Sequence, residues 1–279
     1  ETGLPKRKLG RTALRSSPDD VIDDDRVGRI LNAVLDAGIN FIDTAPDYGD
    51  SEERIGDYIS HRRDQFYLAT KCGCNIDAEG CRLEPGHLWT AQRLRQNIDQ
   101  SLRRMKTDYV DILQMHNPSV EAVEEGGLIP VLEEIRQAGK ARFIGVSSTA
   151  PHLMTFAEMD VFDVFQVPYS ALERTHEQMI QQVADKGAGL IIRGGIAQGR
   201  RGKEERWAAW DGSQLGALAG GMSRYEFVLR FTLSHAACHT TIVGTTALAH
   251  LQANVAAAKA GPLPSEVYRE AIDRLARNG

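Results

Sequence analysis

The feature that most constrains this chain is an alternation. Short runs rich in β-branched and apolar residues recur at 40–43, 66–70, 110–115, 142–146, 164–167, 189–192 and 241–243. Amphipathic segments with helical periodicity lie between and around them, at 25–37, 51–59, 87–105, 128–138, 151–158, 176–186, 222–235, 247–258 and 265–277. Gly38 and Gly139 follow two of these segments, where a left-handed C-cap favours glycine. Ser51 stands as a plausible N-cap for another. Strand–helix alternation implies βαβ units and a parallel sheet. Repeated roughly every 30 residues, it predicts a (β/α)8 TIM barrel rather than an open sheet. No G-x-G-x-x-G follows the first strand, which argues against a dinucleotide fold of the doubly wound kind.

The barrel is one strand short. The front of the chain, residues 1–16, reads as a small hairpin, and Asp23-Asp24-Asp25 then leads into the first helix with no apolar run between. A barrel lacking a strand would expose two sheet edges. The expectation is therefore a single domain over 1–279, with the first barrel strand not visible and a segment missing between Ser16 and Asp25. A second irregularity is an insert at 198–219, after the sixth of the seven visible strands, carrying Arg200-Arg201-Gly202-Lys203 and Trp207…Trp210. It reads as a flap over a ligand; a nucleic-acid-binding patch is the poorer reading.

Composition narrows the class. The net charge is −5, against the basic balance of nucleic-acid binders. No apolar run is long enough for a membrane helix. Four cysteines, Cys72, Cys74, Cys81 and Cys238, are too few for a disulfide scaffold at this length. Three of them cluster near His87, but the spacing C-x-C-x6-C does not match paired zinc-ligand patterns. Reduced loop thiols in a reducing, cytoplasmic compartment are the expectation, with no metal site.

Polar residues stand where a barrel enzyme carries chemistry. Asp43, Lys71 and His116 each end an apolar run, at the C-terminal, catalytic end of a strand. Tyr48 lies in the loop after Asp43. The blander reading of Asp43 and Lys71 is a tolerated buried ion pair. An acid, an amine, a phenol and an imidazole converging on one rim favour acid–base chemistry.

The segments Asn40-Phe41-Ile42-Asp43-Thr44-Ala45, Tyr48-Gly49, Ser51-Glu52, Ala69-Thr70-Lys71 and Asp108-Tyr109-Val110-Asp111-Ile112…His116 resemble the signature blocks of the aldo-keto reductase family, in order and over nearly the whole chain. The resemblance implies a barrel that binds NADP(H), or NAD(H), at its C-terminal face, with Asp43, Tyr48, Lys71 and His116 as the catalytic tetrad. A free phenol has a pKa of about 10; a neighbouring ammonium lowers it. Lys71 is the expected perturber, Asp43 its counter-ion, and Tyr48 the acid/base.

By the same resemblance, Ser147, Ser148 and Gln166 contact the nicotinamide amide. Arg193 stacks on the ring or binds phosphate, and Gly194 and Gly195 let the backbone approach the pyrophosphate. Gly244, Thr245, Thr246, His250 and Asn254 grip the adenosine end. His250 stands where NADP-dependent relatives often carry arginine, Gly244 where some carry lysine and Ala253 where some carry a carboxylate, so two cationic contacts to a 2′-phosphate are missing or weakened; NADP(H) is favoured by the family, with NAD(H) open. The implied function is hydride transfer between nicotinamide and a small aldehyde, ketone or sugar. The alternative is a cofactor-binding regulatory or partner-binding subunit with vestigial activity, like the family's potassium-channel β subunits. Neither reading calls for a nucleic-acid or membrane partner.

Overall fold

The computed structural model describes residues 24–78, 80–197 and 204–278. The expected hairpin at 1–16, the question of a segment missing after Ser16, and the basic cluster at 200–203 lie outside these residues. Helix α1 (Asp24–Asp36) leads into β1 (Phe41–Asp43), and α2 (Ser51–Ile59) with a 3-10 extension leads into β2 (Tyr67–Cys72). A two-stranded antiparallel hairpin follows, β3 (Cys74–Ile76) and β4 (Arg82–His87), then α3 (Ala91–Met105) and β5 (Val110–His116). The next elements are α4 (Val120–Glu125), α5 (Leu128–Gln137), β6 (Ala141–Ser147), α6 (His152–Glu158), β7 (Val164–Pro168), α7 (Glu177–Asp185) and β8 (Gly189–Arg193). The chain continues through α8 (Glu204–Gly212), α9 (Arg224–Ser234), β9 (Thr240–Thr241), α10 (Leu248–Ala260) and α11 (Ser265–Asn278).

Seven strands form one parallel sheet in the order β1-β2-β5-β6-β7-β8-β9. The sheet curls with helices on its outside, the architecture of a (β/α)8 barrel with seven barrel strands among the described residues. Its interior is filled by one apolar layer, Phe41, Ala69, Ile112, Val164 and Ile191, joined by Ile242. Inward-pointing side chains from successive strands meet there, as in barrel cores generally. At the two ends of the sheet, Ile30, Val34 and Ile39 from α1 and its exit pack with Leu251 of α10. Apolar side chains thus join the flanks where strand pairing does not.

Local rules explain most boundaries. Gly38 (φ +83°) and Gly139 (φ +75°) occupy the left-handed positions expected after α1 and α5. Two expectations fail. The N-cap of α2 is Asp50; Ser51 is the first helical residue, and its hydroxyl accepts from Thr44 Oγ1 at 2.9 Å. The helix expected from residue 87 begins at Ala91, capped by Thr90, whose side chain accepts from the Arg93 N–H. Residues 82–87 are instead β4, whose exposed side chains carry no apolar alternation to betray a strand. Among the described residues, no helix is long and apolar enough to cross a membrane.

In the described part of the insert the two tryptophans are core groups. Trp207 and Trp210 are buried, meeting edge-to-face with each other, with Tyr225 and with Phe227. Their rings serve the core of the α8–α9 layer, which removes the basis for a nucleic-acid-stacking surface.

Candidate active site

The strand order brings Asp43, Lys71, His116, Ser147, Gln166 and Arg193 to the C-terminal rim of one sheet. Lys71 sits wholly buried on β2, and its ammonium donates to Asp43 Oδ2 at 2.6 Å and to the Thr44 carbonyl at 2.8 Å. The other Asp43 oxygen, Oδ1, accepts from Gln114 Nε2 and Gln166 Nε2, each at 2.9 Å. Burial alone lowers the pKa of Lys71. The Asp43 charge and hydrogen bond, with Tyr48 beside it, outweigh that and hold its pKa above the ordinary value. The Lys71 ammonium lies 5.2 Å from the centre of the Tyr48 ring.

Tyr48 is held in a turn: its N–H donates to the Ala45 carbonyl and its own carbonyl accepts from Ser51 N–H. Its ring meets His116 edge-to-face, with centroids 5.7 Å apart. The four residues expected to form a catalytic tetrad therefore share one pocket rim.

His116 faces a second polar group that the sequence reading did not assemble. Its Nδ1 is 3.4 Å from Asp47 Oδ1 and 3.3 Å from Cys74 Sγ, and Cys74 Sγ is 3.4 Å from Asp47 Oδ1. His87 stands across from His116, ring centroids 5.0 Å apart. Burial lowers the pKa of both imidazoles against the raising charge of Asp47, whereas burial and that same carboxylate together raise the Cys74 thiol. Asp47 is itself held down to about 2: burial opposes its charge, and the hydrogen bond from His116 leads the forces that overcome it. Cys72 and Cys74 lie on strands and are buried, not in a loop as expected; Cys81 is exposed.

The residues expected at a cofactor are also on this face. Ser147 and Gln166 are register partners on β6 and β7. The Ser147 hydroxyl is 3.4 Å from Asn117 Oδ1, that of Ser148 is 3.4 Å from the Thr149 carbonyl, and Ser148 N–H donates to the Gln166 carbonyl. Arg193 ends β8 and is half-buried. Gly194 has φ +72° and open space where a Cβ would stand, while a Cβ on Gly195 would come 2.2 Å from Thr241 Oγ1. Backbone, not side chain, lines that turn. Thr245 and Thr246 precede α10; Thr245 Oγ1 accepts from the Ala247 N–H, and the helix has no side-chain cap. Gly244 and His250 are exposed and Asn254 is half-buried on the same unit. An uncapped helix N-terminus next to a glycine-lined turn suits a pyrophosphate, so these residues fit a dinucleotide.

Gln114, Asp47, Cys74 and His87 were not singled out as site residues from the sequence. A glutamine inside the apolar run 112–116 was the readable signal for the first. Cys74 and His87 stood in the cysteine cluster set aside on its spacing, and the β3–β4 hairpin brings them to His116; Asp47 comes from the β1–α2 loop, one residue before Tyr48.

Residues 9–276 match the sequence profile described as the aldo/keto reductase family. The chain is 28% identical to the L-galactose dehydrogenase of Arabidopsis thaliana, over 92% of this chain and 88% of that protein. It is 30% identical to the NADH-specific methylglyoxal reductase of Escherichia coli (strain K12), over 61% of this chain and 57% of that one. Among solved structures, the holo form of the aldo-keto reductase AKR11C1 from Bacillus halodurans superposes with a TM-score of 0.83 at 25% identity, covering 97% of this chain and 96% of that one. With its barrel, its rim and its full-length match together, the chain belongs to the aldo/keto reductase family, oxidoreductases that use nicotinamide cofactors.

Proposed function

We propose that this chain transfers hydride equivalents between NAD(P)(H) and a small aldehyde, ketone or sugar, with Tyr48 as the general acid/base. The observation that carries this is the Asp43–Lys71 pair: a fully buried ammonium, anchored by a carboxylate with four hydrogen-bond contacts around the two groups, lies against the Tyr48 ring. Such a cation stabilises the phenolate more than the phenol, and brings a weak acid toward working range. His116 orients the substrate oxygen at the same rim.

A bound nicotinamide supplies or accepts the hydride. Ser147, Ser148 and Gln166 hold its carboxamide; because Gln166 Nε2 is committed to Asp43, Oε1 is the atom it offers an amide N–H. Arg193, Gly194, Gly195, Thr245 and Thr246 hold the phosphates, and Gly244, His250 and Asn254 the adenosine. NADP(H) is the first reading on family grounds. NAD(H) is the second: His250 is an exposed imidazole where a guanidinium would grip a 2′-phosphate, and the Escherichia coli relative is named NADH-specific. All four cysteines are free, in keeping with a reducing, cytoplasmic setting.

The test is nicotinamide absorbance with a panel of aldehydes, ketones, aldoses and sugar alcohols. Turnover with at least one class is expected. Tight cofactor binding with no turnover across the panel would leave the regulatory-subunit reading and remove this one.

A further inference from the structure

The rim carries more polar chemistry than the proposed reaction uses. The hairpin that leaves β2 folds β4 back on β3 so that His87 pairs in register with Cys74. That places the His87 imidazole beside His116, which ends β5, and beside Asp47 from the β1–α2 loop. Four residues from four segments thereby present one ligating atom each, all within 4.8 Å of one another. We infer that Asp47, Cys74, His87 and His116 form a binding site for a single zinc ion.

Three observations support it. The first is spacing. A tetrahedron with bonds of about 2.0–2.3 Å has edges of roughly 3.3–3.8 Å. The Asp47 Oδ1, Cys74 Sγ and His116 Nδ1 atoms form a triangle with sides of 3.3, 3.4 and 3.4 Å. An N···O separation of 3.4 Å is long for a hydrogen bond to a buried carboxylate, but it is an ordinary ligand–ligand edge. The second is an unmet group: the buried Nε2 of His87 has no hydrogen-bond partner, at a cost that a metal bond would remove.

The third is the outer support. The ring of Trp89 stacks on His87 at 5.7 Å and 8°, and it presses on Gly73, where a Cβ would fall 2.0 Å from it. Asn97, fully buried, accepts from Gly73 N–H and donates to the Cys74 carbonyl. The backbone that carries the sulfur is thus fixed from behind, as ligating residues are in metal sites.

The charges also close. On binding, Cys74 loses its thiol proton to solvent and an S–Zn bond forms; the thiolate and the Asp47 carboxylate then neutralise the dication, with two neutral imidazoles completing the shell. A thiolate, two imidazoles and a carboxylate are a zinc set rather than a magnesium or calcium one. Four protein ligands leave no open position, which marks a structural or regulatory ion, not a Lewis acid for substrate. With Nδ1 of His116 bound to metal, its remaining ring nitrogen is fixed as an N–H donor. The ion would therefore set the tautomer of a residue at the rim.

The test is metal titration of the purified chain, read without any enzymatic assay. One equivalent of zinc should bind per chain. Cobalt(II) substituted for it should give the intense visible bands of tetrahedral coordination, with a sulfur-to-cobalt charge-transfer band in the near ultraviolet. Cys74→Ser should abolish the charge-transfer band, and His87→Gln, on the outer hairpin, should weaken binding by at least roughly tenfold. Cys81→Ser should change neither. Circular dichroism melts establish that the variants fold. Absence of stoichiometric uptake, a weak octahedral cobalt spectrum, or a charge-transfer band that survives Cys74→Ser would each overturn the site. None of these outcomes bears on Tyr48.

Discussion

Two buried carboxylates, one at each end of the barrel, set a scaffold ion pair against the pair proposed to serve Tyr48. At the N-terminal end of β5, Asp111 accepts from Arg63 at 2.6 Å, from Arg142 at 2.9 Å and from the Leu68 N–H at 2.9 Å. Both guanidiniums lie over the Tyr109 ring, at 4.4 and 4.3 Å. At the C-terminal end of β1, Asp43 is as fully partnered, by Lys71, Gln114 and Gln166. Both are low-exposure carboxylates with a cation and additional donors, the condition under which a buried charge is tolerated. The difference lies beyond the cation. Around Asp111, Arg63 from the turn before β2, Leu68 of β2 and Arg142 of β6 tie these segments to β5 and end in the fold, whereas Lys71 looks onto Tyr48 at the C-terminal end of the barrel. A satisfied buried pair is therefore no sign of function by itself; the proposal for Asp43–Lys71 rests on the Tyr48 ring that the ammonium faces.

Substitutions should split along that line. Lys71→Met should cost the most, lowering turnover by about 10²–10⁴ through loss of the phenol's activating charge. It should also lower stability, by about 3–5 kcal/mol if Asp43 stays ionised without its partner; kcat and chemical denaturation report the two effects separately. Asp111→Asn should lower stability alone. Its stability loss should fall below that range because Arg142 is half exposed, and kcat of the folded fraction should be unchanged. Equal losses of turnover in the two variants, corrected for folding, would erase the distinction between the two ends. A smaller effect is expected at the adenosine end. His250→Arg should raise affinity for NADP(H) relative to NAD(H) by roughly five- to tenfold, measured by cofactor fluorescence; an unchanged ratio would move the 2′-phosphate contact elsewhere.

The smallest effect is on pH. His176 and His235 have pKa values lowered from 6.5, in each case mainly by burial. Their folded pKa lies below the unfolded one, so on acidification the unfolded chain takes up more protons, and stability falls as pH drops below about 6.5. Melting temperature should rise from about pH 5 to about pH 7 and then level. His235→Gln should flatten part of that slope, and a slope of opposite sign would contradict the burial of neutral imidazoles.

How much of this was legible follows from how local each signal is. The seven strands could be read because their apolar, β-branched runs are buried on both faces, as in 110–116, where every residue is buried. Asp43, Lys71 and His116 could be placed at one rim because a parallel barrel puts all strand ends together. The β3–β4 hairpin could not be read: Arg82, Leu83, Glu84 and Pro85 are all exposed, so no alternation distinguishes them from a loop. With the hairpin went the pairing of His87 with Cys74, a contact set by register rather than by spacing. Trp207 and Trp210 could not be placed from their spacing: basic neighbours left a surface patch as the poorer reading, and the rings sit in an aromatic cluster with Tyr225 and Phe227.

The proposed reaction turns on Tyr48 as the group that gives and takes the proton beside Lys71. Tyr48→Phe keeps the ring that packs against His116 and removes only the hydroxyl. The decisive measurement is nicotinamide turnover by this variant with the best carbonyl substrate, alongside its affinity for the reduced cofactor. Turnover should fall by about 10²–10⁴ while cofactor affinity stays within about twofold. Near-normal turnover in the phenylalanine variant would contradict the role of Tyr48 and, with it, the functional meaning given to the Lys71–Asp43 pair.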